Sequence, residues 1–277
     1  MSQGPPSIVA ERQQPGGPVI LRRRPADVLL PAGVLAAVFV AWWMVVELFH
    51  IPRYIIPPPG AVLATMIDRR ADLLANAAAT AVIAGLGLLL SLAVGVPTGL
   101  VIAQWRLARR LLMPPIVAIQ SLPKVALAPL FVAWLGFGAM PKLMMTVLVT
   151  FFPLTLATIV GVESITLSTV HLAHSMGCRS DRFLRYVMLP AAAPYIAAAF
   201  RTSATLAVVG ALVAEFVGSA NGLGNLLLLA SGNRDSTLAF AAILTVAILG
   251  IMFYATSAIL ARVATVRLGT KFMRSVT

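Results

Sequence analysis

Residues 163–190 read ESITLSTVHLAHSMGCRSDRFLRYVMLP, and the chain turns strongly apolar on both sides of them. Before them, 143–162 is LMMTVLVTFFPLTLATIVGV; after them, 191–217 is AAAPYIAAAFRTSATLAVVGALVAEFV. Two apolar runs of this length joined by a polar segment predict two membrane-spanning helices and an aqueous connection between them. The connection is too long for a simple hairpin. It predicts a short helix interrupted at Gly177, with Val170, Ala173, Met176 and Gly177 on one face, because residues three and four apart align on a helix. Arg179, Arg182 and Arg185 follow the interruption. A short apolar face with basic flanks suits docking into a groove on a partner protein.

Working outward, further apolar runs cover 111–134 and 238–263, then 77–103 and 28–49. The last of these, VLLPAGVLAAVFVAWWMVVELF, would reach about 33 Å as a helix, enough to cross the hydrocarbon core. The run at 111–134 contains Pro114, Pro115, Pro123 and Pro129 and is expected to be kinked or broken. Pro57, Pro58 and Pro59 forbid a helix in the connection after the first run, with a short helix expected from about Gly60. Six spans follow, in an all-α integral membrane protein. The sequence divides into a polar tail at 1–26, one transmembrane domain at 27–265 and a second tail at 266–277.

Composition agrees. The chain is 60% hydrophobic and 11% charged, where soluble domains carry about 25% charged residues. Its net charge of +12 does not describe a nucleic-acid-binding surface, because the basic residues sit in short clusters between apolar runs. With six spans, 14 of the 21 Lys and Arg fall in the segments on the side of the termini, five on the other side (Arg53, Arg69, Arg70, Lys142 and Arg234), and Lys124 and Arg201 within spans. That bias places both termini in the cytoplasm. The N-terminal tail is not a secretory signal, since the apolar run after it is too long. A lone Cys178 excludes an internal disulfide.

Against this background the connecting loop resembles that of the inner-membrane permeases of binding-protein-dependent ABC importers. Their signature is E-A-A, three residues, G, nine residues, I-x-L-P. Here Gly177 is followed after nine residues by Val187, Met188, Leu189 and Pro190, whereas His171, Leu172 and Ala173 stand where E-A-A is expected. LPKVALAPLFVAWLGFG at 122–138 and AEFVGSANGLG at 214–224 are similar to stretches of the nitrate, sulfonate and taurine importers within that group. The resemblance implies a type I importer permease fold in the bacterial inner membrane. It also implies a second copy of the chain, two cytosolic ATPases that carry the ATP and Mg, and an external solute-binding protein. The chain itself would bind no cofactor; it has no G-x-x-x-x-G-K-[ST] phosphate loop. In such a permease the loop is the coupling helix, and the residues carried over to it are Val170, His171, Ala173, Met176, Gly177, Arg179, Arg182, Leu189 and Pro190.

Gln120, Lys124, Arg201 and Glu215 are the polar residues expected in or near spans. An Arg at mid-membrane costs about 2.5–3.5 kcal/mol on insertion scales. Arg201 and Glu215, 14 residues apart, lie about 21 Å from each other along a helix and cannot pair. Each either lines the passage or a gate, or reaches the nearer membrane boundary. Lys124 either faces a polar cavity or marks a turn at an interface. Gln120 is either helix–helix glue or a solute contact. The expected solute is a small anion such as a sulfonate, taurine or nitrate, with a thiamine or riboflavin precursor as the other class. An ion-coupled transporter or channel is the competing function, and it would need carboxylates well inside the spans.

Overall fold

Apolar runs punctuated by Pro, Gly and polar residues give a chain of helices in the computed structural model, which describes residues 26–274. In order they are α1 (Ala26–Leu48), α2 (Pro59–Asp68), α3 (Arg70–Gln104), α4 (Arg106–Ser121), α5 (Lys124–Leu135), α6 (Ala139–Glu163), α7 (Leu167–Ser175), α8 (Ser180–Phe183), α9 (Leu189–Gly218), α10 (Leu223–Gly232) and α11 (Ser236–Arg274). A π-helical turn at Leu184–Met188 joins α8 to α9, so that Ser180–Gly218 forms one long rod.

Among the described residues, four helices are long and apolar enough to cross a bilayer: α3, α6, the rod ending in α9, and α11 over Ser236–Val263. The run expected as the third span is two helices, α4 and α5, bent by 102°. The break falls at Leu122 and Pro123, both in extended conformation. Pro123 lacks the N–H that a continuous helix would need and disfavours helical backbone at Leu122. α2 begins where the proline run ends, with Pro59 in its first turn, a position that tolerates a missing donor. The tail expected at 266–277 is helical as far as Arg274, because α11 runs on to that residue. The N-terminal tail, apart from Ala26, lies outside the described residues.

The core is a three-helix stack of α3, α6 and α9. Gly87, Ser91, Gly95 and Gly99 recur every four residues along one stripe of α3. A Cβ on Gly87 would stand 2.4 Å from Thr146, and one on Gly99 would stand 2.7 Å from the Thr155 carbonyl. Gly210 of α9 approaches Thr146 and Gly161 of α6 approaches Ala192 just as closely. Small residues allow the backbones to meet, which is how helices associate where lipid supplies no hydrophobic drive. Several hydroxyls on this seam are bonded within it, whereas Ser203 Oγ of α9, fully buried, has no partner among the described residues. Ser91 bonds Thr150 at 2.6 Å, and Thr146, Thr150 and Thr158 each donate to the carbonyl four residues back. These contacts set α3 and α6 parallel and α9 antiparallel to both. The bundle therefore has one end carrying α7 and an opposite end carrying the α9–α10 turn.

Candidate functional site

At the first end, α7 emerges from the C-terminus of α6. Val170 and Ala173 are half-buried. Val170, with Cys178, Phe183 and Met188, lines a cavity of about 360 Å³ against the ends of α3 and α6. His171, Leu172 and Met176 are exposed, Leu172 at 62% and Met176 at 77%. Of the face expected from Val170 to Gly177, Val170 and Ala173 pack inward while Met176 and Gly177 are exposed. α7 stops at Ser175 because Gly177 adopts φ +67°, and the Cys178 N–H closes the helix on the Ala173 carbonyl at 3.0 Å. This is a glycine-terminated C-cap; Met176 keeps the helical bond to the Leu172 carbonyl at 3.0 Å, and the left-handed turn comes at Gly177. A Cβ on Gly177 would meet nothing within 4 Å, so glycine is needed there for conformation and not for space.

Arg179, Arg182 and Arg185 are exposed beyond this turn. Leu189 and Pro190, half-buried, open α9. The Leu189 N–H reaches back five residues to the Leu184 carbonyl; the widened turn accommodates the proline ring, which would otherwise crowd the carbonyl four residues before it. Arg109 at the start of α4 pairs with Glu163 at the end of α6, tying the α3–α4 corner to the base of α7.

The opposite end is built in another way. Glu215, 1% exposed, is held inside the stack. Its carboxylate oxygens accept the Thr80 hydroxyl at 2.9 and 3.0 Å, and one of them accepts the Gly224 N–H at 2.9 Å. Thr80 accepts the Leu223 N–H, and Asn76 accepts the Gly222 N–H. The first N–H groups of α10, unsatisfied within any helix, are thus capped by side chains of α3 and α9. Gly222 has φ +109°, and a Cβ there would lie 2.2 Å from the Glu215 carboxyl carbon.

Lys142, counted in the sequence among charges outside the spans, is instead 7% exposed in the first turn of α6. It donates to Ser219 Oγ at 2.9 Å and Asn221 Oδ1 at 3.3 Å. Lys142, Ser219 and Asn221 form the polar edge of a cavity of about 820 Å³ walled by Ala79, Val82, Ile83 and Phe137. Sequence reasoning missed Lys142, Thr80 and Asn76. The available signal was that Lys142 directly precedes an uninterrupted apolar run, where a helix would carry it inward.

Among the residues expected within the membrane, Gln120 lies in the last turn of α4 and Lys124 begins α5, so they flank the break and both are half-buried. Arg201 lies near the middle of α9, half-buried, with its Nε enclosed and lacking a hydrogen-bond partner among the described residues. Glu215 belongs to the same helix but to its far end, and it stands behind the cavity rather than in its wall. The structure therefore joins Glu215 with Lys142 around one turn and leaves Arg201 apart from them.

A family described as "Binding-protein-dependent transport system inner membrane component" matches residues 95–266. A probable ABC transporter permease protein of Haemophilus influenzae is 34% identical over 82% of this chain and 92% of its own length. The formylaminopyrimidine transport permease of Halalkalibacterium halodurans is 31% identical over 84% of this chain and 93% of its own. The taurine transport system permease of Escherichia coli is 28% identical over 82% and 85%.

Proposed function

This chain belongs to the binding-protein-dependent transport system inner membrane components, and from that membership we propose that two copies of it form the passage of an ATP-driven importer in the bacterial inner membrane. It is a multi-pass transport permease of the ABC type. In the proposed assembly all six spans are crossed, α1 and the α4–α5 pair included, and both termini lie in the cytoplasm. Each α7 sits in a cleft of a cytosolic ATPase that holds ATP and Mg, and an external binding protein delivers the solute at the other end.

The observation that carries this reading is the state of α7. It lies in the chain between α6 and α9, two helices of the core stack, and presents Leu172 and Met176 to solvent on a helix stopped by Gly177. An exposed apolar ridge on a rigid extension of two core helices suits a lever gripped by a partner. Closure of the ATPases on ATP would move α6 and α9 as a body and switch the access of the passage. Gln120, Lys124 and Arg201 are placed along that passage, and Glu215 serves it by holding the α9–α10 turn.

The test is Leu172→Cys in a Cys178→Ser background. A membrane-impermeant thiol reagent is expected to label it only after the membrane is opened, and the co-purifying ATPase is expected to protect it. Labelling from outside intact cells would overturn the orientation and the coupling role together.

For the solute, we favour a small heterocycle of the formylaminopyrimidine kind. A relative with that solute in its name matches at 31% over 84% of the chain, above the taurine relative at 28% over 82%. An anion such as taurine is the second reading, favoured by the unpartnered Nε of Arg201. Uptake of labelled formylaminopyrimidine and of taurine, in cells with and without this chain, separates the two.

A further inference from the structure

The cavity beside Lys142 has the features of a built site. About 820 Å³ is within the range of ligand pockets, roughly 300–1,000 Å³. Its walls are apolar and its polar groups converge at one edge. That edge contains an ammonium group that is itself buried, with Lys142 at 7% exposure. An ammonium has three hydrogens to donate. Ser219 Oγ and Asn221 Oδ1 account for two, and the third has no acceptor among the described residues. A buried cation is costly unless its donors are satisfied, and Glu215, the carboxylate behind the same turn, lies beyond ion-pair distance of Nζ. Its carboxylate is fixed by Thr80 and Gly224 on the inner side of the same turn that Lys142 grips from the outer side. The free donor suits a hydrogen-bond acceptor on a bound molecule. Phe137, 82% exposed, presents its ring at the cavity wall.

We propose that this cavity is a solute subsite of the permease, with Lys142 Nζ donating to a carbonyl or ring-nitrogen acceptor on a flat heterocycle that lies against Phe137. It rests on the importer reading and names where within that permease the solute is handled, at the end of the bundle remote from α7. Glu215 is a positioning residue here, because it acts on the solute only through the turn and Lys142. A sulfonate oxygen offers the same acceptor chemistry, so the two solute sources are set against each other in the test.

The experiment uses the full chain with its partner subunits in native membranes. In a Cys178→Ser background, Ala220→Cys places a thiol at an exposed position of the cavity wall. Its rate of labelling by an impermeant maleimide is followed with formylaminopyrimidine or taurine added, alongside ATP-dependent uptake of each. Formylaminopyrimidine is expected to slow labelling and taurine is not. Lys142→Met is expected to raise the half-protecting concentration about tenfold or more, the loss of one charge-assisted hydrogen bond, while Lys142→Arg retains part of the protection. If Lys142→Met fails to reach the membrane, Phe137→Ala carries the same test with weakened protection expected. Absence of protection by either compound, or protection unchanged by these substitutions, overturns the subsite. Protection by taurine alone overturns the heterocycle. Uptake indifferent to ATP counts against the importer reading, and the labelling result then still decides the subsite.

Discussion

The two ends of the bundle solve opposite problems. At the α9–α10 turn, Glu215, Thr80 and Asn76 bond one another or backbone of the same chain, and Lys142 bonds Ser219 and Asn221. At α7, apolar Leu167, Leu172 and Met176 stand in solvent beside exposed Arg179, Arg182 and Arg185. One end closes its interactions internally, apart from one Lys142 hydrogen; the other leaves them open. The contrast teaches that residues of equal prominence in the sequence carry different burdens. Substitutions at the turn should be felt as lost stability, and substitutions at α7 as lost coupling to a partner.

The sharpest way to break this contrast is Glu215→Ala. It strips acceptors from Thr80 and Gly224, an expected cost of about 1–3 kcal/mol for each buried donor left unpaired. Thermal melting of the purified protein should fall steeply, and Glu215→Gln, which keeps the shape, should fall less. Melting of the Ala variant at the wild-type temperature would dissolve the distinction. Next is Gly222→Ala, which meets both a positive φ and the Glu215 carboxyl carbon at 2.2 Å; a loss of more than about 2 kcal/mol is expected in the same assay. Gly177→Ala shares the positive φ but has open space around it. About 1 kcal/mol is expected, and comparing the two glycines separates steric from conformational cost. Smallest in stability is Leu172→Asp, within about 0.5 kcal/mol as for other surface changes. Capture of the ATPase subunit by that variant should nonetheless be lost; retained capture would show that α7 is not the gripped surface.

Much of the architecture was legible in the chain. Hydrophobic runs marked α3, α6, α9 and α11, since burying a backbone in lipid leaves the helix as the available solution. Pro123 marked the break in the third run because a missing donor acts locally. Gly177 marked the end of α7 for the same kind of reason. Of the face drawn through Val170, Ala173, Met176 and Gly177, only the first two residues are half-buried, and the last two stand in solvent at the end of α7, a difference that helical periodicity does not carry. Lys142 was misplaced because charge alone suggested water, while its acceptors at Ser219 and Asn221 lie 77 and 79 residues away.

By itself the sequence determined what each segment can be, whether apolar helix, proline break, glycine cap or basic loop, since those choices depend on neighbours a few residues apart. Only the tertiary structure decided which polar groups inside the membrane find one another. Glu215 meets Thr80 across 135 residues, and the small-residue stripe of α3 lets α6 approach closely enough to satisfy the hydroxyls between them. The physical reason is that a buried charge is settled by whatever packing brings within about 3 Å of it, and composition carries no record of that distance.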